Sequence, residues 1–187
     1  MTTVQQPFVT DITELRRRAR EQMDQGAVTG NYGGETSQAI DLLQTALATE
    51  IVCVLRYTVH NISAVGIDSE SVKQEFAEHA RDEYDHMQKI AERINQLGGT
   101  PNMDPAGLHT RSATEYGSAQ KLIDMIKENL VAERIAVEHY RDLIRYFADK
   151  DPTTRVMLEG ILAQEEEHAN DMHDLLEAHE GTPFLKP

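Results

Sequence analysis

Two pairs of residues in this chain have the types and spacing to grip a metal ion. Glu83 and His86 are three residues apart, and Glu165 and His168 repeat that step. On an α-helix, residues three apart lie on one face, one turn from each other. A carboxylate and an imidazole so placed can close on one cation, and two such steps from two helices of a bundle can hold a pair of ions. A single Glu-x-x-His carries little weight: with 19 glutamates and eight histidines in 187 residues, chance supplies about one. The meaning of the pairs therefore depends on the elements that carry them.

Four long stretches have helical periodicity. The first is expected from Thr36 or Ser37 to about Gly66, with a seam of Leu43, Leu47, Glu50, Val54 and Tyr57. Steps of four and three are those of a stripe facing a bundle core. The second runs from Asp68 or Ser69 to Gly98-Gly99, and its seam reads Val72, Phe76, His79, Glu83, His86, Ile90. The third, capped by Ser118, carries Ile126, Asn129, Glu133, Ala136 and Tyr140. The fourth opens at Asp151-Pro152, a capping residue followed by proline at the first helical position, and its seam holds Ile161, Glu165, His168 and Met172. Short links join the first to the second and the third to the fourth, which implies two antiparallel hairpins. Between them, Gly98 to Gly117 lacks a helical period. A helix of 28 residues is roughly 42 Å long, and twenty extended residues reach roughly 66 Å. That connection can run the length of the bundle. The expected fold is all-α, a four-helix bundle with a long crossover between helices 2 and 3.

Each seam thus places Glu50, Glu83 with His86, Glu133, or Glu165 with His168 where an apolar residue belongs. An ionised carboxylate buried without a partner costs several kcal/mol. The four glutamates must be protonated, paired with buried cations, or bound to metal. No lysine or arginine occupies these mid-seam positions. Two divalent ions would balance four carboxylates, with two neutral imidazoles completing the coordination; such donors suit iron or manganese. Glu78, His79 and Asp82, one turn earlier, read as solvated side chains, with an auxiliary metal route as the alternative. Glu138, His139, Glu166, Glu167 and His173 read as surface charge.

Composition narrows the rest. One domain suits 187 residues. Aromatics are 5% with no Trp, which favours helix over sheet. A net charge of −14 argues against nucleic-acid binding and suits attraction of cations. Cys53 is the single cysteine, which rules out an intrachain disulfide or a cysteine metal cluster. No run of 18 uninterrupted apolar residues and no signal-peptide core is present, so no membrane association and a cytoplasmic location are expected. Residues 1–35 form an N-terminal extension with a short helix, capped by Thr10 or Asp11 and reaching about Gln25. Its cluster of Arg16, Arg17, Arg18 and Arg20 is flanked by Asp11, Glu14 and Glu21, and reads as a solvated or interface helix more than as a DNA arm. The bundle spans 36–180, and 181–187 is a tail.

Over residues 36–180 the chain resembles the ferritin-like superfamily, most closely the bacterioferritins and the Dps-like ferritins. The resemblance rests on Glu83-x-x-His86, Glu165-x-x-His168 and the single glutamates Glu50 and Glu133. It implies that Glu83 and Glu165 bridge two irons, that Glu50 and His86 complete one position, and that Glu133 and His168 complete the other. Tyr57 matches a tyrosine found beside bacterioferritin di-iron centres. The implied activity is that of a ferroxidase. Fe(II) would be oxidised by peroxide or dioxygen at two iron ions per subunit, manganese being the other candidate metal. Fe(III) would be stored in a homo-oligomeric cage as protection against oxidative stress. Tyr84 stands where bacterioferritins carry a haem-ligating methionine, so haem is not expected. The absence of a fifth helix favours twelve subunits over 24. The paired cysteines of some Dps-like ferritins are missing. The alternatives are a non-storage di-metal oxidase or manganese catalase on the same bundle, and a DNA-associating Dps cage.

Overall fold

A computed structural model describes residues 9–180 except 22, 24, 25, 31, 67 and 68. Among the described residues all regular structure is helical: α1 (Ile12–Arg18), α2 (Thr36–Ser63), α3 (Ser69–Gln96), α4 (Leu108–Arg111), α5 (Leu122–Phe147) and α6 (Pro152–Glu180). Helices α2 with α3 and α5 with α6 pack as hairpins, and α4 lies against α2. This is the expected four-helix bundle with its crossover between the two hairpins.

Local chemistry sets the ends. Asp151 caps α6, its Oδ1 accepting the Thr154 N–H at 2.9 Å, and Pro152 follows. Helix α3 stops where Gly98 takes φ +88°, a conformation that favours glycine. The Gly99 N–H then reaches back to the Ile94 carbonyl at 2.9 Å, closing the last turn.

Three features differ from expectation. Helix α5 begins at Leu122, not at Ser118. The backbone before it is extended, and the Glu128 carboxylate takes the Ala119 N–H at 3.0 Å, which holds this approach out of the helix. Helix α1 is capped by Asp11 but ends at Arg18, short of Gln25, because it buries no residue that would reward a longer run. The crossover contains the one-turn α4, seated by Leu108 against Ala48 and Val52. Gln25, Asp68, the first eight residues and the 181–187 tail lie outside the described residues. On the first seam, Val54 is only partly buried, and Cys53 takes the core position.

The core falls into two apolar clusters. One holds Leu47, Ile90, Ala136, Tyr140 and Ile161; the other holds Tyr57, Phe76, Ile126 and Met172. On each long helix the candidate ligands, Glu50, Glu83 with His86, Glu133, and Glu165 with His168, lie between a member of one cluster and a member of the other. The polar layer is therefore sealed from both ends by packing. Among the described residues α2 alone is long and apolar enough to cross a membrane by composition, with a mean hydropathy of 1.4 over its most apolar 18 residues. Half of that window is buried inside the bundle.

Candidate metal centre

The six residues singled out as ligands meet in the middle of the bundle. Glu50, Glu83, His86, Glu133 and Glu165 are at most 1% exposed, and His168 is 3% exposed. They form two quartets, each with ligand atoms within 4.8 Å of one another: Glu50, Glu83, His86 and Glu165 in one, Glu83, Glu133, Glu165 and His168 in the other. Glu83 and Glu165 belong to both. Two cations placed in the quartets would share these two carboxylates.

The atoms facing this centre lack hydrogen-bond partners among the described residues: both oxygens of Glu83 and Glu165, Oε2 of Glu50 and Glu133, and Nδ1 of His86 and His168. His86 Nδ1 lies 2.9 Å from Glu165 Oε1 and 3.5 Å from oxygens of Glu50 and Glu83. His168 Nδ1 lies 3.6 Å from Glu83 Oε1. Buried polar atoms left in this state are costly, and their convergence on one point is what a metal site requires.

The groups behind the ligands fix their orientation. His86 Nε2 meets Gln164 Oε1 at 2.9 Å, and His168 Nε2 meets Asp82 Oδ2 at 3.3 Å. Each acceptor holds a ring proton on Nε2 and turns Nδ1 to the centre. Tyr57 donates to Glu133 Oε1, and Tyr140 donates to Glu50 Oε1. Each outer carboxylate is thus held by a phenol from the opposite hairpin. Gln164 and Tyr140 escaped the sequence reading, because a glutamine beside a seam and a tyrosine on one look like surface and core. A signal did exist: tyrosine follows glutamate by seven residues at Glu50–Tyr57 and again at Glu133–Tyr140. Asp82, read as solvated, supports a candidate ligand instead, and His79, read in the same way, is buried at 1% exposure.

Arg56 was missed as well. It neighbours Tyr57 on α2, is 1% exposed, and donates to Asn129 Oδ1 at 2.9 Å, Thr114 Oγ1 at 3.2 Å and the Glu115 carbonyl at 3.0 Å. A buried cation therefore does stand near the carboxylates, but its N–H groups are spent on neutral partners and reach none of the six ligands.

Without a cation the centre has to hold protons. Burial, then the Glu83 charge, pushes Glu50 up to about 8. The same two causes raise Glu133, and raise Glu165 well above its ordinary value. Burial works against the ionised form of Glu83 too, but His168 and His86 outweigh it and hold Glu83 low. Burial likewise opposes the charge on His168, which Glu83 nevertheless raises to about 9. Burial, then the neighbouring His168, depresses His79 to about 3, so its ring is neutral.

Residues 40–181 match the family model of the ferritin-like domain. A nutrient stress-induced DNA-binding protein of Synechococcus is 33% identical over 76% of this chain and 82% of its own length. A DNA protection during starvation protein of Pyrococcus furiosus is 28% identical over 77% of this chain and 80% of its own. Among solved structures, a dodecameric thioferritin, the bacterioferritin-related protein of Bacteroides fragilis, superposes with a TM-score of 0.75. It is 33% identical, over 81% of this chain and 93% of that one.

Proposed function

Because the chain belongs to the ferritin-like family, and with it to proteins of iron storage and protection, we propose that it is a ferroxidase working at an intrasubunit two-iron centre. The observation that carries this reading is the pair of ligand quartets sharing Glu83 and Glu165. Iron is the substrate. Two Fe(II) ions give up one electron each; a peroxide molecule takes both electrons and two protons and leaves as two waters. With dioxygen the same two electrons and two protons yield peroxide. The protein's part is to hold two Fe(II) ions close enough for a two-electron step. Glu50 and His86 take one ion, Glu133 and His168 the other, and Glu83 with Glu165 binds both. Tyr57 and Tyr140 keep the outer carboxylates in place, and the two apolar clusters exclude bulk water from above and below.

We place the protein in the cytoplasm as a twelve-subunit cage, following the dodecameric B. fragilis relative. An apolar stripe on α2 supports self-association: Leu55, Val59 and Ile62, at steps of four and three, are 48%, 37% and 70% exposed. A second reading, association of the cage with DNA, is favoured by the names of the two curated relatives. The net charge of −14 opposes it, as does the pairing of Arg17 with Glu14 and Glu21.

The test is an anaerobic Fe(II) titration of metal-free protein, followed by peroxide or dioxygen, with particle size read on the same sample. About two Fe(II) per chain and rapid oxidation in a cage are expected. Glu165→Ala with His168→Ala should slow oxidation at least tenfold. A double variant as fast as the wild type overturns the assignment.

A further inference from the structure

Outside the buried centre, on the surface between α3 and α6, lies a cavity of about 250 Å³. Its lining carries five carboxylates, from Glu75, Glu78, Asp82, Glu167 and Asp171, and neither lysine nor arginine among the described residues. Acidic crowding alone is common on a chain of this charge. What distinguishes the place is His79, which is 1% exposed yet has Nε2 without a hydrogen-bond partner. That atom lies 3.5 Å from Glu75 Oε1 and 3.5 Å from Asp171 Oδ2.

The hydrogen bonds behind His79 decide which nitrogen carries its proton. Tyr57 spends its own proton on Glu133, so its oxygen can only accept from His79 Nδ1, 3.0 Å away. A neutral ring with its proton on Nδ1 turns the Nε2 lone pair towards two carboxylates. Three electron-rich atoms then face one another, all within 4.8 Å. Two donors bound tetrahedrally at 2.0–2.2 Å to one ion sit about 3.4 Å apart, close to the spacing seen here.

We propose that Glu75, His79 and Asp171 form a third cation site, which takes one divalent transition-metal ion beside the buried centre. One imidazole and two carboxylates suit Fe(II), Mn(II), Co(II) or Zn(II). The carboxylates are about one-third exposed, so the ion keeps water ligands and exchanges readily. The His79 ring stacks on the ligand His168 with centroids 3.9 Å apart. A cation held here would be bound by the ring that stacks on His168, on the more exposed side of the centre.

The test uses Co(II), which does not oxidise under the assay conditions, titrated anaerobically into the full chain. Its stoichiometry is read by calorimetry and visible absorption. Glu75→Gln with Asp171→Asn keeps size and shape at two half-buried positions. A charge-matched control, Asp149→Asn with Glu159→Gln, removes two exposed acids elsewhere. The wild type and the control should bind one more Co(II) per chain than the double variant. Crystals of the wild type soaked in Co(II) should show anomalous density within bonding distance of His79 Nε2. Equal stoichiometry in all three proteins, with no density at His79, overturns the site and leaves the buried centre standing. One Co(II) in the wild type and none in the double variant upholds the site and sinks the two-iron reading instead.

Discussion

A buried glutamate favours or opposes folding according to what neutralises it, and in this centre that depends on pH. Glu50 is raised from 4.5 to about 8, and Glu133 and Glu165 are raised as well. A group whose pKa is higher in the folded state favours folding below its unfolded pKa, and that contribution is lost as pH rises towards the folded value. His168, raised from 6.5 to about 9, acts in the same sense. The metal-free protein should therefore melt at progressively lower temperature between about pH 6.5 and pH 9, above the range in which the depressed His79 acts in the opposite sense. Metal ions displace those protons, and their affinity grows with pH. Anaerobic loading with Co(II) should flatten or reverse the trend, so that the gap in melting temperature widens with pH. A pH-independent melting temperature in chelated protein would mean that the carboxylates are neutralised in some other way. The six candidate ligands were legible in the sequence because each is the wrong residue type for its place on an apolar seam. Tyr140, Gln164 and Arg56 were not. Tyr140 suits a core as well as a site, and the partners of Gln164 and Arg56 are 78 and 73 residues away.

At the scale of elements, the two hairpins are fastened together through the start of α6. Asp151 caps that helix, accepts two hydrogen bonds from the Arg93 guanidinium of α3 at 2.9 and 3.0 Å, and takes another from Tyr32 at 2.9 Å. Thr154 donates to it as well. Burial acts to raise its pKa, but the bonds from Thr154, Arg93 and Tyr32 prevail and hold it below 3.8. Its contribution is thus present above that value and fades only as pH falls through the lowered pKa. Asp151→Ala removes the cap and strips a half-buried arginine of its partner. The cost should be about 3 kcal/mol, which thermal melting would read as a fall of roughly 6–12 °C. A change below 2 °C would show that water replaces Asp151 without loss. This cap was readable from Asp151-Pro152 alone, because its bonds are local. The start of α5 was not: Ser118 has the right chemistry for a cap, but Glu128, ten residues later, takes the neighbouring backbone N–H instead.

The whole molecule carries a charge that would keep copies apart and a surface that would bring them together. At −14 per chain, assembly has to work against repulsion. The exposed stripe of Leu55, Val59 and Ile62 supplies the opposing term, since covering such side chains returns roughly 25 cal/mol per Å². It also explains the hydropathy of α2. The helix is apolar towards the bundle through Leu43 and Leu47 and apolar outwards through the stripe, and the proposed assembly would cover that second face. Val59→Glu with Ile62→Glu places two like charges on that face of every copy and leaves the bundle core untouched. Light scattering should then show small species in place of a particle near 250 kDa, twelve times the 21.1 kDa chain. Helicity and the proposed binding of two metal ions per chain should persist, because all six candidate ligands come from one subunit. If the particle keeps its size, α2 faces solvent and the contacts of the cage lie elsewhere. If metal pairs vanish together with the cage, the centre depends on assembly in a way that its geometry within one chain does not require.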